Sequence, residues 1–201
     1  TALTTGDRNV AIGENALAAA TTQSYNVAIG RYAQYGATGS ANVGVGYGTL
    51  GVASGANNSA LGDYALNANT TGANNTAVGK SALLANTTGT RNTAVGANAL
   101  DANTTGSYNS AFGTHAGSSI TTGTLNSVFG DYALAATTTA SGNSAFGQAA
   151  LGTNSTGANN SAFGKDALYA NTTGGNNTAV GYESLLANTT GDLNVATGKD
   201  C

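Results

Sequence analysis

Catalysis needs reactive side chains held close together, and this sequence supplies few of them. His115 is the only histidine and Cys201 the only cysteine. One imidazole and one distant thiol do not make a zinc site, which needs a full set of N or S ligands. Ser and Asp recur wherever one variable segment of the chain recurs, so no Ser-His-Asp grouping can be argued from spacing. The carboxylates lie on that same segment and lack a cleft to tune them for proton transfer. The glycines do not follow a strand-to-helix pattern, so a phosphate loop is not indicated. The expectation is a chain that is not an enzyme, with no cofactor and no metal. His115 reads as a solvent-exposed corner residue, and Cys201 as an ordinary chain end.

Residues suited to recognition are more plentiful. Tyr32, Tyr47, Tyr64, Tyr132 and Tyr182 fall at two adjacent positions of a repeat, which places them along one edge. Tyrosine rings combine apolar area with a polar tip and serve as contacts for glycans or proteins. These five form the candidate ligand-contact edge. A second column holds Thr pairs, including Thr70-Thr71, Thr87-Thr88, Thr104-Thr105 and Thr172-Thr173. Regular threonine ranks on a flat face suit ice binding, the alternative function, on a monomeric solenoid. Adjacent threonines in a strand point to opposite faces, however, and these run into a glycine, so a structural turn is the stronger reading. Sequons such as Asn86-Thr87-Thr88 arise from the repeat itself and carry little weight.

The element that positions all of these is the repeat. Asn75 begins Asn-Thr-Ala-Val-Gly, and Asn92 begins it again 17 residues later. Anchoring on that Asn gives twelve copies: Asn9, Asn26, Asn42, Asn58, Asn75, Asn92, Asn109, Asn126, Asn143, Asn160, Asn177 and Asn194. They bound eleven complete units, seventeen residues long except for the two that start at Asn26 and Asn42, which have sixteen. The array covers residues 1–201 as one continuous domain, with a partial repeat from Asn194. A fixed period with one compact motif per period predicts a solenoid.

With the anchor as position zero, positions one to three predict a short strand of β-branched or aromatic residues around Ala. Position three runs from Ile12 through Phe112, Phe129, Phe146 and Phe163 to Val180; position two is Ala except at Gly44 and Val128. One of these rows is expected to line the coil interior and the other to pack elsewhere. Position four is Gly in all twelve copies, a corner that needs positive φ or close backbone approach. Ala-Leu at positions seven and eight predicts a second short strand, and Asn-Thr-Thr-Gly the return turn. The short units are expected to lose their residue in that return, where deletions are tolerated. The stacked anchors suggest an amide ladder, and Glu14 over Arg31 and Asp63 over Lys80 suggest weak surface pairs.

Composition narrows the rest. Charged residues make up 7%, with a net charge of -3, and none falls on an apolar row. Six Lys and Arg spread over the array make no basic stripe, which argues against nucleic acid. No apolar run reaches transmembrane length, so no membrane contact is expected of this segment. The first residue is not Met, which reads as a piece of something longer.

The Asn-[Ser/Thr/Val]-Ala-[Val/Ile/Phe]-Gly core, followed by Ala-Leu and Asn-Thr-Thr-Gly, resembles the head repeats of trimeric autotransporter adhesins (YadA-like). It is also similar to repeats in bacterial and phage-type tail fibres. The familiar head repeat is shorter, and this chain departs from it in the return loop. The resemblance implies an all-β solenoid, a left-handed parallel β-roll, assembled as a parallel homotrimer outside the cell, at a cell surface or on a tail fibre. Its partners would be a host or prey surface glycan or protein. In that arrangement the Ala row at position two is expected to pack against neighbouring protomers.

Overall fold

A computed structural model describes residues 5–201. Twelve strands of three residues each, from Val10–Ile12 to Val195–Thr197, form a single parallel sheet in strict chain order. Registration is complete along the array: Ala11 pairs with Ala28, Ala77 with Ala94, and Phe112 with Phe129. The chain is a parallel β-solenoid of eleven coils. At the usual inter-strand spacing it is a rod about 50 Å long.

The strand sits where the β-branched and aromatic residues predict it, and its faces are now assigned. Position two points inward: Ala28, Ala77, Ala94, Ala111, Ala145, Ala162 and Ala179 are fully buried. Position three points outward, with Ile12 58%, Leu61 50% and Phe163 41% exposed. This overturns the expectation that the Ala row meets neighbouring protomers. Its methyl groups pack inside the coil against the alanine and leucine of positions seven and eight, and nothing outside the coil can reach them.

The second strand is also absent. Positions five to ten form a tight turn in every coil, because positions six and eight both adopt left-handed backbone. Ser81, Asn98 and His115 at position six have φ of 58°, 55° and 55°, and Leu66, Leu83 and Leu100 at position eight have 52°, 51° and 51°. A left-handed L-residue costs about 1–2 kcal/mol. Full burial of the leucine contributes about 1.5–3 kcal/mol, and Leu83, Leu100 and Leu134 are wholly inaccessible. Burial therefore outweighs the strain. Backbone pairing continues between coils without strand geometry, as in Leu83 N to Ala99 O at 3.0 Å.

Position four answers to both requirements foreseen for it. Gly79, Gly96 and Gly113 have φ of 132°, 136° and 138°. A Cβ on Gly96 would stand 2.3 Å from the Gly113 carbonyl oxygen. The corner exists because no side chain separates consecutive coils.

The anchor asparagines form the expected column, and its chemistry is mainly side chain to backbone. Each Oδ1 accepts the backbone N–H of the next anchor, as in Asn92 to Asn75 and Asn109 to Asn92, both at 2.9 Å. Each Nδ2 reaches across its own coil to close the return loop, as in Asn92 to Gly106 O at 2.8 Å. The short coils keep this closure, with Asn26 to Gly39 O and Asn42 to Gly55 O, so the missing residue lies in the return, as expected. A true amide ladder runs beside it at position eleven: Asn86 Nδ2 donates to Asn69 Oδ1 and Asn103 Nδ2 to Asn86 Oδ1, both at 2.8 Å.

Candidate functional site

The five tyrosines of the expected contact edge separate into three settings. Tyr32, Tyr47 and Tyr64 come together. Their rings meet edge to face, with centroids 6.0 Å apart for Tyr32 and Tyr47 and 5.1 Å for Tyr47 and Tyr64. Tyr35 joins them, 5.6 Å from Tyr32. Tyr132 lies elsewhere on the rod, stacked on His115 at 4.7 Å and 12°. Tyr182 is flanked by the ammonium groups of Lys165 and Lys199, each 5.6 Å from its ring centre. Its phenol is held above the usual value, first by a hydrogen bond with Glu183.

The first cluster encloses a groove of about 450 Å³. Its floor is Gly48 and Gly51 of the Asn42 coil, where neighbouring coils carry side chains. Its walls come from the coils on either side: Tyr32 and Tyr35 on one, Tyr64 and Asn67 on the other. A Cβ on Gly48 would lie 3.2 Å from the Tyr64 ring, and one on Gly51 would lie 2.8 Å from Asn67 Nδ2. The glycines thus let the next coil lean over the gap. Asn67 Nδ2 donates to Gly48 O at 2.7 Å, which fixes the amide. The neighbouring Tyr47, and after it burial, hold the Tyr64 phenol above its ordinary value.

Tyr35 stands at position nine, one residue past the pair at positions seven and eight that reads as a strand, so spacing alone does not place it on the tyrosine edge. The left-handed residues at six and eight fold it back beside position six. Tyr169, also at position nine, is in the same situation. It lines a second groove of about 350 Å³ with Tyr132, Gln148, Ala149 and Gly152.

The remaining candidates take structural places. His115 is half-buried, not a solvent-exposed corner: Asn98 Nδ2 lies 3.1 Å from its Nε2, and one ring face is covered by Tyr132. Cys201 is exposed, with Sγ donating to Gly198 O and 3.3 Å from Ser184 Oγ. The first threonine of each pair spends its hydroxyl on the adjacent coil, as in Thr70 to Thr87 O at 2.9 Å and Thr87 to Thr104 O at 3.0 Å. Those hydroxyl protons are committed to backbone and unavailable to order water. Asn86 of the sequon is fully buried with its amide bonded, so glycosylation there is incompatible with the fold. Of the two expected ion pairs, Arg31 meets Glu14 at 2.8 Å. Asp63 instead accepts the Tyr47 backbone N–H at 3.2 Å.

Among the described residues no group of three or more His, Cys, Asp and Glu could hold a metal ion, and no helix is long and apolar enough to cross a membrane. Comparison with protein-family models, with curated proteins and with solved structures gave no match to this chain.

Proposed function

We propose that this chain is a structural and adhesive segment of an extracellular fibre, wound left-handed and assembled as a parallel homotrimer. The reading rests on the outward row at position three. It is an uninterrupted apolar strip from Ile12 to Val180, broken only at Thr197. In its middle Phe112, Phe129, Phe146 and Phe163 stack with centroids 4.7, 4.6 and 5.0 Å apart. A soluble monomer rarely leaves so long a contiguous apolar strip in water. Copies of one chain supply a partner of matching length and spacing, and a closed ring of three leaves no strip uncovered. The thin interior of alanine and leucine gains from such an assembly as well.

The experiment is the mass of the assembly in solution, by light scattering across a concentration series. The expected mass is three times 19.4 kDa, falling to that of one chain when Phe129 and Phe146 are replaced together by Asp. A wild-type chain that stays monomeric at high concentration would defeat the trimer.

A further inference from the structure

The two tyrosine grooves are built by the same device, and that coincidence asks for an explanation. In each, one coil withdraws its side chains at positions six and nine: Gly48 and Gly51 in the first, Ala149 and Gly152 in the second. In each, the preceding coil contributes a position-six tyrosine, Tyr32 or Tyr132. The following coil contributes another aromatic, Tyr64 or Tyr169, leaning over the gap. A Cβ on Gly152 would lie 2.8 Å from the Tyr169 ring, as close as the corresponding approach of Asn67 to Gly51. An amide side chain, Asn67 or Gln148, sits at each. Elsewhere on this edge positions six and nine carry bulkier residues, such as Asn98 with Asp101 and Ser81 with Leu84.

We infer that both notches bind neutral pyranose units of a glycan. No ionised side chain lines either notch, and Arg31, whose guanidinium lies 4.8 Å from the Tyr32 ring centre, is already paired with Glu14. A charged ligand would therefore give up hydration without a partner, whereas a neutral one is matched. The lining is aromatic with phenol hydroxyls and one amide side chain, held in the first notch by its bond to Gly48 O. That combination suits a molecule with an apolar C–H face and hydroxyls around its edge. Each notch spans one coil between its two neighbours, about 10 Å along the rod, enough for a ring or two and too short for an extended peptide. The notch centres are six coils apart, about 29 Å. Occupancy of both by one glycan-bearing surface converts two weak contacts into avidity, with a gain on the order of a hundredfold.

This inference deepens the attachment reading and rests on it, but its test does not depend on the trimer. The probes are the methyl glycosides of galactose, glucose, mannose and N-acetylglucosamine, with saturation transfer from tyrosine ring protons measured by NMR on the whole chain. At least one glycoside is expected to receive transfer. Tyr64→Ser combined with Tyr169→Ser is expected to weaken its binding at least tenfold. Both are residues the repeat already uses at those positions, in Ser81 and Ser118, so folding should survive. Gly48→Asn, which copies Asn98, fills the first notch without removing a tyrosine and should abolish transfer from that notch alone. No transfer to any of the four glycosides, or transfer unchanged in the double serine variant, would overturn the proposal. So would retention of an immobilised glycoprotein that is unaffected by enzymatic deglycosylation, which would assign the notches to polypeptide. Sugar binding by a monomeric chain would retire the trimer and keep the notches; a trimer blind to sugar would do the reverse.

Discussion

Ile120 fills the space that Gly117 leaves empty. Gly117 holds the position-eight site that leucine holds in most coils, and a Cβ there would lie 3.0 Å from Ile120 Cδ1 and 3.1 Å from Leu100 Cδ2. Ile120 in turn stands at position eleven, where the amide ladder runs. Asn103 Oδ1, which would otherwise accept from the next asparagine, is buried without a partner. Two departures from the repeat thus compensate each other in volume and leave one polar orphan. Ile120→Asn alone should cost about 2–4 kcal/mol, because it restores the ladder but opens a cavity. Gly117→Leu alone should cost about 1–3 kcal/mol through overpacking. The double variant should match or exceed the wild type, so the coupling should at least equal the two single costs together, about 3 kcal/mol or more. Denaturant unfolding of the four proteins closes the cycle, and additive single effects would show the two sites to be independent.

Gln34 presents a second compensation, in which polarity is the issue. It occupies position eight of the Asn26 coil and is fully buried. Its Nε2 donates to Val27 O at 2.9 Å and Asn42 O at 3.2 Å, while Oε1 has no partner. Gly44 replaces the usual position-two alanine beside it, and a Cβ there would stand 3.3 Å from Gln34 Cγ. An unsatisfied buried carbonyl costs about 1–3 kcal/mol. Gln34→Leu should therefore stabilise the chain by about 1–2 kcal/mol, raising the denaturant midpoint at unchanged slope. A lower midpoint would mean that the amide holds the two coils together more than its orphaned oxygen costs.

The glycine column is the least tolerant feature. Gly96→Ala would place a methyl group 2.3 Å from the Gly113 carbonyl oxygen and 2.6 Å from its carbon, in a coil where φ is already 136°. Backbone lies on the far side of the contact, so no rotamer change relieves it. Strain of this kind belongs to the upper tail of single-substitution effects, about 4 kcal/mol or more. A loss below about 1 kcal/mol would show that the coils can separate locally and that the stacking is softer than the geometry indicates. Amide hydrogen exchange would distinguish a local opening around Gly96 from loss of the whole rod.

Period, strand position, glycine corner and anchor column were all legible in the sequence, because each depends on a residue type that recurs at a fixed spacing. The absent second strand and the inward Ala row, both departures from the expected coil, share one cause. Ala-Leu reads as strand because a 17-residue unit leaves too little room for a helix, and local propensity gives no sign that Leu83 will take a φ of 51°. Only the stacked neighbours, which bury it completely, make that conformation favourable. With that turn misread, the direction of the Ala and Phe rows could not be fixed, and Tyr35 and Tyr169 did not appear on the tyrosine edge. The notches are still harder to see, since they are made by missing side chains. Glycine at Gly51 or Gly152 reads as one more turn residue until the tyrosine of the next coil is found leaning over it.

Asp101 gives the rod a dependence on pH whose sign is set by burial. Its carboxyl lies above the usual carboxylate value, chiefly because burial disfavours its charged form; backbone N–H groups of Asp101 and Ala102 and the nearby His115 act in the opposite direction. One oxygen is buried with no hydrogen-bond partner. Between the ordinary value of 3.8 and the raised value of the folded chain, the folded state holds more of this proton than the unfolded state does. This group's contribution to stability therefore falls as pH rises through that window, and the charged carboxylate remains a liability at neutral pH. Asp101→Asn removes the titration with little change of shape, and asparagine already stands at this position in Asn67. The variant should melt higher than the wild type at pH 7, and the gap should close as pH is lowered below 3.8. A gap of the same size at both ends of the range would assign the gain to the amide's hydrogen bonds, and a variant less stable at pH 7 would mean that the carboxylate is held there by His115.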